Sequence, residues 1–170
     1  MDRLPDQLKH GLRLVFVGTA ASERSAALGH YYAHPQNRFW RTLHEVRLTP
    51  RRYQPHEFPA LLDLGMGFTD LCKTGAGMDH VALKAGVDVA GFAAKMRRHA
   101  PGTIAFTSKK AASLFYGKPT PKITLGRQPP CDGLPAIFVL ASPSGAASGA
   151  WSIRPWQELA AHVTDERSSA

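Results

Sequence analysis

The stretch Gly29-His30-Tyr31-Tyr32-Ala33-His34-Pro35-Gln36-Asn37-Arg38-Phe39-Trp40 holds the densest set of chemically capable side chains in the sequence. Paired tyrosines ahead of a His-Pro step and an Asn at a helix start are unusual for a core element. His30 and His34 stand at a spacing that could hold a metal on one helix face. Pro35 interrupts any helix containing both, however, and no third ligand is evident. The expectation is therefore no metal, with His34 bracing its loop through a hydrogen bond. Asn37 is of the type that satisfies backbone groups near a helix N-terminus. Two further places suit close approach to a ligand. Gly18 closes an apolar run, and a residue without Cβ lets a ligand reach the main chain. Ser142-Pro143-Ser144-Gly145 is a turn of small residues after another apolar run. Asp70 ends a third strand-like piece, where it could act as a base or simply cap a loop.

These residues need elements to hold them. Leu12–Val17 and Ala136–Ala141 read as buried strands, as does Thr103–Thr107. Gly65–Leu71 is strand-like, and Lys122–Leu125 reads as a short strand. Helices are expected from Pro35 through Val46, over Phe58–Leu64 and over Val89–His99. Two more are expected, one after Ser108 as N-cap and one over Pro155–Val163. The loop 19–34 shows little periodicity, residues 47–59 read as a loop with a short turn, and the tail after Thr164 should fray. Strands alternating with helices imply an α/β fold: a single three-layer α/β/α domain with a short, mainly parallel central sheet. In such sheets the working site gathers at the carboxyl ends of the strands, so the loops 18–34, 69–75 and 141–150 should converge.

Composition bounds the partners. The chain has 170 residues, 44% of them hydrophobic and 20% charged, as in an ordinary folded domain. Its 21 Lys and Arg against 13 Asp and Glu give +8, with a pI near 9.9, so a polyanion is the expected partner. The basic residues cluster at Arg51-Arg52, Lys95/Arg97/Arg98, Lys109-Lys110 and Lys118/Lys122/Arg127. Lys109-Lys110 are best placed, because a helix start at Ser108 would also attract phosphate. No apolar run approaches the ~20 residues of a membrane span, and no signal-peptide core is present. Cys72 and Cys131 cannot supply a four-thiolate metal site, and they read as reduced in a cytoplasmic setting, nucleoid-associated if the source is bacterial.

The Tyr31-Tyr32-Ala33-His34-Pro35-Gln36-Asn37 segment resembles a signature of the uracil-DNA glycosylase superfamily. Within it, the similarity is to the mismatch-specific uracil (thymine) and hypoxanthine-DNA glycosylase branches. Leu12–Gly18 resembles the strand leading into that superfamily's first motif, Gly67–Leu71 its intervening strand, and Ser142–Gly145 its second motif. The resemblance covers roughly residues 11–165, leaving 1–10 as an N-terminal extension and 166–170 as a tail. Two departures stand out. The mismatch branch has Gly-x-Asn-Pro-Gly at its first motif, with the Asn placing the attacking water; here Ala20 takes that position, and a methyl cannot hold water. Asp70 stands where that branch often has Lys or Asn.

The resemblance implies hydrolytic release of uracil from DNA, with no cofactor, by a monomer that initiates base excision repair. Breaking the bond between base and deoxyribose builds positive charge on the sugar and negative charge on the base. Catalysis then needs a placed water, donors aimed at the base, and a nucleotide rotated out of the duplex. By resemblance, Asn37 inherits a catalytic role and Tyr32 stacks on the extruded base. Asp70 is the second candidate for activating water. Backbone amides around Gly18, Thr19 and Ala20, with the Ser142 hydroxyl, would bind the base. Ser22 and Glu23 are lesser candidates in the same loop. Pro143, Ser144, Gly145, Ala146 and Ala147 would enter the duplex as a weak wedge, and Ser108, Lys109 and Lys110 would contact the backbone. Two alternatives remain open: preference for hypoxanthine or xanthine, and a catalytically inactive binder of damaged DNA. A lyase reaction through Lys109 or Lys110 lacks any sign of the burial it would need.

Overall fold

The structure, a computed structural model, describes residues 4–74 and 80–169. Its strands are β1 (Leu14–Gly18), β2 (Met66–Asp70), β3 (Thr103–Phe106), β4 (Gly126–Arg127) and β5 (Ala136–Val139). They form one five-stranded sheet in the order β2-β1-β3-β5-β4. All pairs are parallel except β4 with β5. Every residue of β1 is buried, as required of a central strand covered on both faces, which is why it reads as a continuous apolar run.

The helices are α1 (Glu23–Leu28), α2 (Phe39–Glu45), α3 (His80–Gly86), α4 (Val89–His99), α5 (Lys109–Tyr116) and α6 (Arg154–Ser169). Side chains alternate across the sheet. Leu14 and Phe16 enter a core with Phe39, Trp40 and Leu43 of α2 and Trp156 and Leu159 of α6. Val15 and Val17 enter another, with Phe92 and Met96 of α4 and Ala111 and Phe115 of α5. The result is the three-layer α/β/α domain that the alternation of elements implies. Phe16 is the keystone of the first core, meeting Phe39 edge-on with centroids 5.0 Å apart and stacking near Phe68 and Trp156. Truncating such a side chain to Ala costs about 3–5 kcal/mol.

Several boundaries differ from the sequence expectation. The loop after β1 contains α1, capped by the Ser22 side chain and ended by Gly29 at φ 71°. Pro35 does not open the next helix. The Asn37 Oδ1 accepts from Phe39 N–H at 2.9 Å, while Arg38 N–H donates to the Pro143 carbonyl, so α2 begins at Phe39. A 3₁₀ helix spans Pro55–Leu64, starting before the expected Phe58. The strand expected at Lys122–Leu125 is displaced to β4, because Thr120–Lys122 forms a 3₁₀ turn after Pro119. The last helix continues to Ser169 rather than fraying after Thr164.

Residues ahead of β1 are also part of the packing. Leu4 is buried, and Gln7 exchanges two backbone hydrogen bonds of 2.9 Å with Phe68. This bridge covers the outer edge of β2, which would otherwise present unpaired backbone groups.

Candidate active site

The register that pairs Gly18 with Asp70 brings the ends of β1 and β2 level. Leu71 N–H donates to the Gly18 carbonyl at 2.9 Å and Cys72 N–H to the Thr19 carbonyl at 2.8 Å, so the two strands stay zipped beyond their ends. The N–H groups of Thr19 and Ala20 donate to no protein oxygen among the described residues. Above this floor opens a cavity of about 340 Å³. It brings together Gly18, Thr19, Ala20, Tyr32, Asn37 and Asp70 with Ser108, Lys110, Ser142, Pro143 and Ser144. Lys109, Gly145, Ala146 and Ala147 are not part of its lining.

Tyr32 is held at its flanking backbone, at its hydroxyl and at one face of its ring, and it lines the cavity. Its backbone takes φ 52°, a strained value for a residue with a side chain. The flanking chain is clamped: Ala33 N–H donates to the buried Ser25 Oγ at 3.1 Å, and the Trp40 indole N–H donates to the Tyr31 carbonyl at 3.2 Å. The Tyr32 ring stacks on Phe39 at 4.0 Å and 14°. Its hydroxyl donates to Thr107 Oγ1 at 3.1 Å. Burial, and then the charge of Asp70, hold the phenol well above its usual pKa, so it is a neutral donor. The other tyrosine, Tyr31, is core: it is 2% exposed and stacks on Phe68.

Asp70 faces Gly18 so closely that a Cβ on Gly18 would meet its Oδ1 at 2.5 Å and the Tyr32 hydroxyl at 3.5 Å. The carboxylate is 6% exposed and accepts no hydrogen bond among the described residues; the Lys73 Nζ lies 3.9 Å away. Burial pushes its pKa up to about 6, against the pull of Lys73 and Lys95 and with the push of Asp6. A carboxylate so poised is ionised at neutral pH yet basic enough to take a proton from water.

Asn37 lines the cavity, but its Oδ1 is engaged by Phe39 N–H. Arg38 ties this segment to the second motif. Its N–H bonds Pro143, its guanidinium lies 5.3 Å from the centre of the Trp151 ring, and its Nη1 donates to Ser148 Oγ at 3.3 Å. Ser142 Oγ accepts from Ser144 N–H at 3.3 Å. Ser108 caps α5 by accepting from Ala111 N–H. Ser22 and Glu23 belong to the start of α1, where Ser22 caps. His34 accepts from Gln36 N–H through Nδ1 at 3.1 Å, the bracing role expected of it.

The basic clusters divide. Lys109 is exposed and Lys110 half-buried at the cavity wall. Lys95, grouped by the sequence with Arg97 and Arg98 as a basic cluster, pairs with Asp6 at 2.7 Å. Arg51 is taken by Glu57 and lies over the Tyr53 ring at 3.9 Å. Sequence reasoning missed Thr107, Lys73 and Asp6. Thr107 was open to discovery by its place just after β3, at the carboxyl edge of the sheet. Among the described residues, no helix is long and apolar enough to cross a membrane, and neither cysteine is in a disulfide.

Two comparisons bear on this arrangement. The model of the Uracil DNA glycosylase superfamily matches residues 5–161. The fold is similar to the solution NMR structure of a "putative Uracil DNA glycosylase" from Methanosarcina acetivorans, with a TM-score of 0.65 at 20% identity, covering 95% of this chain and 96% of that one. At that identity the likeness speaks to the fold.

Proposed function

The chain belongs to the uracil DNA glycosylase superfamily, and as a member of it is a DNA glycosylase acting on DNA; we propose that it is a monofunctional, monomeric enzyme that releases uracil by hydrolysis. One observation carries this reading. Four separated segments, contributing Gly18, Tyr32 with Asn37, Asp70, and Ser142, line a single cavity of about 340 Å³, the scale of a small-ligand site.

In this reaction the nucleotide swings out of the duplex and its base enters the cavity against the Tyr32 ring. The N–H groups of Thr19 and Ala20 and the Ser142 hydroxyl donate to the base oxygens, where negative charge builds as the bond to the sugar breaks. Asp70 takes the proton of a water whose oxygen attacks the sugar C1′, and its charge stabilises the cationic sugar on the way. The Asn37 side-chain amide orients that water from the other wall. The base leaves as its anion and takes up a proton, Asp70 returns its own proton to solvent, and the products are the free base and an abasic site. Asp70 is preferred to Asn37 as the base because a buried carboxylate is the stronger proton acceptor, and because the Asn37 oxygen already serves Phe39. The assignment answers the substitution of Ala20 for the family Asn: the water is activated from β2 instead of from the first loop.

Single-turnover incubation with uracil-containing duplexes and single strands tests the reading, with alkali-labile strand breaks as the readout. Breaks at uracil support it. Their absence with protein in excess, or breaks only at hypoxanthine or xanthine, would overturn the uracil assignment.

A further inference from the structure

Lys73 lies between two carboxylates, and the structure uses that fact. Its Nζ is 3.0 Å from Asp6 Oδ1 and 3.9 Å from Asp70 Oδ2, with its side chain only 13% exposed. It also donates to the Leu4 carbonyl and to the Tyr31 hydroxyl at 3.3 Å. Lys95 holds the other Asp6 oxygen, Oδ2, at 2.7 Å, and the Thr69 hydroxyl donates to Oδ1 at 2.6 Å. The charges therefore alternate in a row that runs from the buried Asp70 through the half-buried Lys73, Asp6 and Lys95. Burial pushes the Asp6 carboxyl up, but Lys95, Thr69 and Lys73 together hold it below its usual range, so it stays an anion.

We propose that Lys73 and Asp6 are positioning residues for the reaction, with Asp6 drawing the Lys73 ammonium away from Asp70 so that Asp70 remains a usable base. The proposal rests on Asp70 being the group that activates water. Its physical content is a competition for one cation. Paired tightly with Lys73, Asp70 would be a stable anion with little affinity for a proton. Asp6 takes the closer ammonium contact and leaves Asp70 the longer one. Among the described residues, the other groups facing Asp70 are the neutral Tyr32 phenol, Lys95 across the row, and Lys110, which lines the same cavity from α5. None of these can replace Asp6 in holding Lys73 back. The chain ahead of β1 thus contributes to the active site: it covers the β2 edge through Gln7 and delivers Asp6 to the lysine.

The test uses two variants of the full chain, Asp6→Asn and Lys73→Gln, whose effects have opposite signs. Removing the Asp6 charge lets Lys73 turn toward Asp70, so Asp70 should lose its proton at lower pH. Removing the Lys73 charge should make it lose its proton at higher pH. Each displacement should be on the order of one pH unit. The midpoint of the acid limb of single-turnover uracil release should move in the same two directions. A carbon-13 titration of the Asp70 carboxyl in DNA-free protein reads the same displacement with no substrate present, so a failure of uracil excision leaves this proposal independently testable. Opposite displacements in that titration support the proposal. An unmoved Asp70 in both folded variants, or a loss of rate equal at every pH without a moved midpoint, overturns it and leaves the row as scaffolding.

Discussion

Gly18, Tyr32 and Asp70 lie at the ends of buried strands or beneath a clamp of hydrogen bonds, whereas the 3₁₀ turn Gly145–Ala150 is largely exposed. That turn reaches the α2 segment through the Arg38 contacts with Ser148 and Trp151. We propose that the two regions face the same substrate with opposite degrees of constraint. On the floor, each group is fixed by several others, and a strained Tyr32 backbone persists because its surroundings leave it no alternative. On the rim, small side chains and few anchors leave room to move as a duplex is entered. Chemistry that depends on ångström placement belongs on the first, and contact with variable DNA on the second.

Changes on the floor should therefore be severe and changes on the rim mild. Gly18→Ala places a methyl only 2.5 Å from Asp70 Oδ1. Displacing that carboxylate should lower single-turnover release by about a hundredfold or more, and a near-normal rate would break the contrast. Tyr32→Ala removes the stacking face and should weaken productive binding by about ten- to a hundredfold, from the ~1–3 kcal/mol of a base–aromatic stack. Tyr32→Phe keeps the face and should stay within a few-fold of wild type, as read by concentration-dependent single-turnover kinetics.

Asp70 also imposes a stability cost, and its sign can be checked. Its pKa, about 6 in the fold against a usual 3.8, favours the protonated form in the folded protein. That contribution is fully present below about pH 4 and is lost as pH rises through about pH 6. Asp70→Asn should therefore stabilise the protein at neutral pH, by up to about 3 kcal/mol, and change little near pH 4. Thermal or urea unfolding at the two pH values measures this. The smallest effect is expected on the rim. Ala146→Leu provides the bulk that this turn lacks, and it should slow product release and increase dependence on the opposite base by a few-fold without altering single-turnover chemistry. Multiple- and single-turnover rates with each opposing base separate the two.

The floor was largely legible in the sequence, since strand-end loops carrying Gly18, Asp70 and Ser142 announce a convergent site in a parallel sheet. Local signals fell short where structure depends on very short elements. The six residues of α1 are Ser- and Ala-rich with no apolar period, and the helix exists through its Ser22 cap and Gly29 stop. The two-residue β4 is an edge pairing that no pattern of its own requires. Lys95 reads in the sequence as one more member of a basic cluster because Asp6, its partner 89 positions away, is invisible to periodicity. Asn37 shows the same limit in reverse: its type suited both capping and catalysis, and only coordinates reveal that one oxygen is already committed to Phe39.

We place water activation at Asp70 because Ala20 stands in the first motif of this chain. Single-turnover uracil release by Asp70→Asn and Asn37→Ala, side by side with wild type, tests it most directly. A loss of about 10²–10⁴ is expected for Asp70→Asn, and a clearly smaller loss for Asn37→Ala. The reverse order, or both variants within a few-fold of wild type, would contradict it.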